Sequence, residues 1–423
     1  MKFDILIIGA GPAGLQAART AADADHVARV GIVDDNALPG GQIWRQGPRH
    51  RATGAARELL DALRAHGNVT ILSGTRIVQA LGERRLQAES ATGAIALEYG
   101  KLIVASGARE RFLPFPGWTL PGVTGAGGLQ ALVKGGTPVR GERIVIAGSG
   151  PLLFAAAATA RAQGAHIVAL VEQAPAHAVS RFATGLVRTP AKLMQALRLR
   201  FDLRATPYWR DAYVTEAIGE TRVTQVRIRR GGQTIVLDCD RLACAYGLVP
   251  NTQVGAALDC GIDMKNDALA IAVNDWQQTS RDDIYAAGEC TGVGGMELAA
   301  VEGRIAAYSA LGKHEAARAL FAERERYRQF AARLHAAFAL TPALRTLAQP
   351  DTTFCRCEDV TFGEVARHAS WRDAKLQTRC GMGPCQGKIC GEAAAFCLGW
   401  SQQGQRPPFS PARIDTLMHA GKS

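Results

Sequence analysis

Asp4-Ile5-Leu6-Ile7-Ile8-Gly9-Ala10-Gly11-Pro12-Ala13-Gly14 opens the chain with an apolar run, a glycine turn and the start of a helix. Residues 5–8 are apolar and largely β-branched, as a strand buried on both faces must be. Leu15-Gln16-Ala17-Ala18-Arg19 continues with helix formers. At the turn between them, Gly9 makes the tight bend, Gly11 lets the backbone close on a pyrophosphate, and Gly14 lets helix and strand pack closely. Pro12 and Ala13 complete the candidate phosphate-binding turn, where free N–H groups and the helix dipole favour negative charge. A second apolar run, Val30-Gly31-Ile32-Val33, ends in Asp34, twenty residues after Gly14. That is the offset at which a carboxylate accepts hydrogen bonds from an adenosine ribose, with Asp35 as the alternative. This motif alone does not separate NAD from FAD.

The rest of the composition sets bounds. A chain of 423 residues predicts two or three domains with sizeable cores. At 47% hydrophobic and 21% charged it reads as an ordinary globular protein, and no run of eighteen apolar residues predicts a membrane span. Asp4 and the early glycines argue against a secretory leader. The net charge of +11 suits nucleic acid, an acidic partner or anionic ligands. Its arginines are scattered along helical stretches with no basic block among aromatics, so no nucleic-acid partner is expected. Six of the ten cysteines fall between residues 355 and 397. Clustering of that kind in a large chain suggests metal rather than disulfides, and so a cytoplasmic location.

Downstream, Pro39-Gly40-Gly41-Gln42-Ile43-Trp44-Arg45 is a second glycine turn. It resembles the segment that passes the flavin end of FAD in two-dinucleotide flavoproteins, which implicates Gly41, Gln42 and Arg45. A helix is expected over 56–66, with short strands near 69–72, 77–81 and 94–97. Residues 101–110 then read as an apolar strand ending in Ser106-Gly107, similar to the point where such flavoproteins leave the FAD domain. A second fingerprint follows at 143–153, with Gly148 and Gly150 in place, Leu153 at the third glycine position and Glu172 at the ribose position. It admits two readings: a site for NAD or another adenine nucleotide, or a Rossmann half kept as scaffold. Residues 178–202 are basic and partly helical, and 222–245 read as hairpin strands around Gly231-Gly232. Thr279 to Glu289 closely resembles the box whose acid contacts the flavin ribityl chain, with Gly288 and Glu289 at its end. Its pairing with Gly9–Gly14 favours FAD over NAD for the first site.

Near the end, Cys355-Arg356-Cys357 places two thiols on one side of an extended segment, and Cys380, Cys385 and Cys390 lie on a glycine-rich loop entering a helix. Four thiolates suit a [2Fe–2S] cluster or a Cys₄ zinc, and Gly381, Gly383 and Gly387 favour the negatively charged cluster by letting backbone N–H groups approach sulfur. The C-x-C…G-M-G-P-C-Q-G-x-x-C pattern resembles the bacterioferritin-associated-ferredoxin-like (BFD-like) [2Fe–2S] domain. That resemblance makes Cys355, Cys357, Cys385 and Cys390 the ligands. Cys380 is an alternative ligand or a buried thiol, and Cys397 belongs to the core.

The expected fold is therefore α/β: a two-dinucleotide-binding, Rossmann-like flavoprotein with a small C-terminal BFD-like domain. Residues 1–115 and 266–314 would form the FAD domain, 116–265 the nicotinamide-type domain, 315–350 a helical connector, 351–405 the cluster domain and 406–423 a tail. This arrangement resembles the α-type subunits of multi-subunit, dye-linked amine and amino-acid dehydrogenases, among them D-hydroxyproline dehydrogenase, L-proline dehydrogenase, opine oxidase and hydrogen cyanide synthase. The resemblance implies a flavoprotein β subunit carrying the substrate site, an optional small ferredoxin-like subunit, and an electron acceptor. It is consistent with the absence of a redox cysteine pair after Gly41 and of any acid–base constellation among the nine histidines. Two alternatives stand beside it: a self-sufficient NADH-dependent oxidoreductase, and a partner subunit whose cofactors only hold an assembly together.

Overall fold

Ile5, Leu6 and Ile7 are 2% exposed or less, and the strand that holds them, Lys2–Ile8, is central to its sheet. The structure is a computed structural model describing residues 1–47, 50–400 and 407–419. It divides into two compact units: 1–109 with 249–332 and the described part of 404–423, and 110–248 with the described part of 333–403.

In the first unit Val69–Leu72, Val30–Val33, Lys2–Ile8 and Gly93–Val104 lie side by side in parallel, with Ile284–Ala286 on the far side of the last. The expected strands at 94–97 and 101–106 are one, Gly93–Val104. Gly100 does not break it, because a Cβ there would lie 2.9 Å from the Asp4 carbonyl oxygen. The glycine marks a close backbone approach. The early half of this strand pairs with Arg85–Ser90, which pairs with Arg76–Ala80. The carboxy-terminal residues, expected as a tail, return here: Phe409 N–H bonds the Val78 carbonyl and the buried Gln87 amide bonds that of Thr416.

Helices Pro12–Ala24 and Met296–Ala310 cover one face. Alanine lines the first helix, and a Cβ on Gly303 would meet the Ala13 carbonyl oxygen at 2.1 Å, so small residues set how closely the two pack. The helix expected at 56–66 is Ala55–Ala65, with Leu59, Leu60 and Leu63 turned inward.

The second unit holds a parallel sheet in the order Tyr208–Trp209, His166–Glu172, Arg143–Gly148, Arg241–Ala245, Val123–Gly125. Beside it Ala212–Ile218, Gln225–Arg230 and Gln233–Asp238 form an antiparallel sheet whose expected Gly231-Gly232 turn has φ of 52° and 86°. Residues 351–398 have a small core of their own around Phe354, Val365, Trp371 and Ala394. Its helices are short, and two are capped by side chains, Phe362–Ala366 by a Thr361/Glu364 capping box and Trp371–Thr378 by Ser370. Among the described residues no helix is long and apolar enough to cross a membrane.

Candidate functional site

In the first unit Gly9 makes the tight turn and Gly14 the close packing that their spacing predicts. Gly9 has φ +106°, and a Cβ there would sit 2.3 Å from the Ala105 carbonyl oxygen. One on Gly14 would sit 1.8 Å from that of Gly9. The Gly40-Gly41 loop folds over this turn, with Gly40 N–H bonded to Ala10 and a Gly41 Cβ only 2.8 Å from Gly11 Cα. The helix begins at Pro12 with no side-chain cap and no acid in its first turn, leaving donors and a positive dipole end.

The two candidate acids differ. Asp34 is 6% exposed, and its carboxylate accepts the Ala10 N–H at 2.5 Å and the Asn36 backbone and side-chain N–H groups at 2.8 and 2.7 Å. Asp35 is exposed at the same turn. Gln42 and Arg45 bond each other at 2.9 Å, and Arg45 reaches Asn36 at 3.4 Å.

Ser106 and Gly107 are clamped by a residue the sequence did not flag. Ser106 Oγ donates to the Asn251 carbonyl, while the Asn251 side chain and backbone donate to the Ser106 and Gly107 carbonyls. Gly288 closes on the fingerprint helix, where a Cβ would lie 2.8 Å from that of Ala13. Burial pushes the Glu289 carboxyl up, against the Gly295 N–H. Behind it Glu302, also unflagged, accepts the Gly288 N–H at 3.1 Å and the Thr291 hydroxyl at 3.3 Å, with Arg328 at 3.8 Å. Its signal was an acid on the apolar stripe of a helix, in register with Leu298, Val301 and Ile305.

The second fingerprint, in the other unit, has the same backbone and a different environment. Gly148 has φ +138°, and a Cβ there would meet the Ala245 carbonyl oxygen at 1.9 Å. Glu172 has no solvent exposure; its oxygens accept the Gly150 N–H at 2.7 Å and the Ala174 N–H at 2.9 Å. Burial pushes this carboxyl up to about 7, with the backbone donors opposing.

Segment 338–341 lies over this turn. Ser149 Oγ donates to the Phe338 carbonyl, and the Phe338 ring is 3.7 Å from where a Gly150 Cβ would be. Gln173 donates to Ser149 Oγ and the Ala339 carbonyl and accepts the Thr341 N–H, all at 2.9–3.0 Å. Gln173 holds the position that Asp35 holds at the first turn, but only 2% of it is exposed. Leu153, at the third glycine position, is wholly buried.

The thiols converge in the same unit. The Sγ atoms of Cys355, Cys380 and Cys390 lie within 4.8 Å of one another, and all three residues are buried. Exposed Cys357 faces partly exposed Cys385. Thiols from Cys380 and then Cys390 hydrogen bond Cys355 and hold it well below the usual thiol range. The Gly381 N–H approaches Cys355 Sγ at 3.5 Å, and a Cβ on Gly383 would lie 2.3 Å from that of Cys357. Cys380, outside the sequence pattern, therefore belongs to the group in space.

A cavity of about 320 Å³ is lined by Cys355, Cys357, Cys385 and Cys390, with Phe112 and Trp118 on its wall. Thr124, also on the wall, has a buried hydroxyl with no hydrogen-bond partner. A mostly apolar cavity, two sets of facing thiols and one unmatched hydroxyl donor fit a sulfur-bridged cluster, whose sulfides accept weak hydrogen bonds.

The family model described as pyridine nucleotide-disulphide oxidoreductase matches residues 3–306. The chain is 32% identical to the HcnB subunit of hydrogen cyanide synthase from Pseudomonas aeruginosa over 92% of this chain and 91% of that protein. It is 34% identical to the A-subunit of opine oxidase from Rhizobium meliloti over 92% and 90%. Among solved structures, L-proline dehydrogenase from P. horikoshii superposes with a TM-score of 0.69 at 15% identity, covering 99% of this chain and 79% of that one. Thioredoxin reductase from T. acidophilum gives 0.56 at 22%, covering 74% and 98%. These structural likenesses are likenesses of fold.

Proposed function

The chain belongs to the pyridine nucleotide-disulphide oxidoreductase family, with hydrogen cyanide synthase and opine oxidase subunits as relatives along nearly its whole length, and on that basis we propose that this FAD-dependent oxidoreductase is the electron-relaying subunit of a hetero-oligomeric dehydrogenase. Its substrate class is an amino acid, imino acid or opine, oxidised on a partner flavoprotein subunit. Bound FAD and a [2Fe–2S] cluster would supply the two-electron and one-electron chemistry between that partner and an acceptor.

The residues of this chain bind and orient. Gly9, Gly11 and Gly14 would bring the backbone against the FAD pyrophosphate, and exposed Asp35 is better placed than Asp34 to reach a ribose. Gly41, Gln42 and Arg45 would border the same cofactor, with Ser106-Gly107 held by Asn251 and Gly288-Glu289 held by Glu302. Cys355, Cys357, Cys385 and Cys390 would hold the cluster, with Thr124 donating a hydrogen bond toward it.

The observation that carries this reading over an NADH-dependent reductase is the covered second turn. A dinucleotide there would need the Gly150 N–H, which Glu172 already holds, and the space in which Phe338 and Ala339 lie. Clearing it would mean breaking the two hydrogen bonds between Gln173 and this segment and the one from Ser149, roughly 0.5–1.5 kcal/mol each, before any ligand contact formed.

An anaerobic visible spectrum tests the proposal. Dithionite bleaches the flavin and cluster bands, excess NADH leaves them unchanged, and analysis finds iron and acid-labile sulfide in equal amounts. Prompt bleaching by NADH would overturn it in favour of a nicotinamide-linked reductase.

A further inference from the structure

Helix Ala176–Gly185, the turn Leu186–Arg188 and helix Pro190–Asp202 together bury one residue, Leu186. That is unusual physically. Helices of ten and thirteen residues are marginal in water by propensity alone and normally depend on an apolar face packed against something.

This stretch has such a face, turned outward. Val187, Met194, Leu197 and Phe201 are 70, 65, 54 and 65% exposed, a concentration of large apolar surface within fifteen residues. Within helix Pro190–Asp202, Pro190, Met194, Leu197 and Phe201 fall at intervals of four, three and four, the spacing of a seam that packs along one partner helix, and Val187 precedes it in the turn. The border is basic. Residues 176–204 carry six Lys and Arg and one acid, Asp202. Arg181, Arg188, Arg198, Arg200 and Arg204 are exposed. Arg200 and Arg204 donate to the Leu203 and Phe201 carbonyls, and the Arg204 guanidinium lies 4.5 Å over the Phe201 ring, so the cation framing the seam is held in place.

We propose that this face docks the partner flavoprotein subunit, through an apolar helix on that subunit bordered by acidic side chains; the proposal rests on the function argued above. The charge selects the occupant. A second copy of this chain would bring two arginine borders together, which like-charge repulsion disfavours. An anionic membrane would match the charge, but a surface-lying helix needs a broad apolar face, and this one presents a narrow seam. Apolar contact supplies the affinity, and the arginines steer the encounter and set the register.

The test uses the full-length chain with a carboxy-terminal tag, purified from its own cells at low salt. It co-purifies with one stoichiometric flavin-containing polypeptide, and amide hydrogen exchange over 186–204 is slower in that assembly than in the isolated chain. The variant M194E/F201E, altered only at exposed positions, keeps the melting temperature of the isolated chain but weakens the assembly about 100-fold or more. An assembly that survives M194E/F201E with exchange over 186–204 unchanged would overturn the docking face and leave the proposed function standing. No flavoprotein partner under any condition would overturn both. Self-association lost in the variant, or variant-sensitive binding to phosphatidylserine vesicles, would assign the face to a second copy or to a membrane and overturn the occupant proposed.

Discussion

Glu172 links proton binding to folding. Its carboxyl titrates near 7 in the folded chain and near its ordinary value of 4.5 when unfolded, so the native state binds the proton more tightly. Its contribution is full below about pH 4.5 and is lost as pH rises through about 7, an upper bound of about 3 kcal/mol. Glu172→Gln should flatten this pH dependence of the melting temperature between pH 5 and 8, even though it lowers stability at pH 5 by giving the backbone donors a poorer acceptor. At the thiols, Cys355, Cys357, Cys385 and Cys390, each changed to serine, should lower iron per chain to less than half. Cys380→Ala should keep the iron but shift the visible spectrum or the reduction potential, since Cys380 bonds Cys355. Cys397→Ser should alter neither.

Packing between elements sets the surroundings of the two dinucleotide turns. Helices Pro12–Ala24 and Met296–Ala310 meet at Gly303 and Ala13, next to the first turn. Gly303→Val would push a side chain into the Ala13 carbonyl, and we expect a loss of about 2–4 kcal/mol together with flavin retained at lower occupancy on gel filtration. At the second turn, segment 338–341 packs across the glycines. Gln173→Ala removes two hydrogen bonds that anchor this segment and a third to Ser149, and should cost about 1–3 kcal/mol, with faster exchange of the Thr341 amide as the local reading. If NADH reduction is then still absent, the blockade also resides in Glu172.

For the whole molecule, the excess of eleven positive charges is a statement about association. We expect the rate of assembly with the flavoprotein subunit to fall at least tenfold as salt rises from about 10 to about 300 mM, while the dissociation rate changes little, because screening acts on the encounter more than on the desolvated seam. Stopped-flow mixing of separated subunits would measure both.

The sequence by itself determined the strand–turn–helix units, because each rests on local geometry: an apolar run, a glycine where a Cβ meets a carbonyl oxygen, a helix former after it. It marked the thiol-rich loop too, since spacing on a glycine-rich loop is also local, but not which thiols meet. Only the tertiary structure decided that Glu172 faces its own backbone, that Phe338 and Gln173 come from 165 residues apart to close the second turn, and that Cys380 joins the other thiols. It alone decided that Glu302 and Asn251 support the first site. Each of those is a contact between residues distant in sequence, set by which surfaces must be buried together rather than by any residue's own backbone preference.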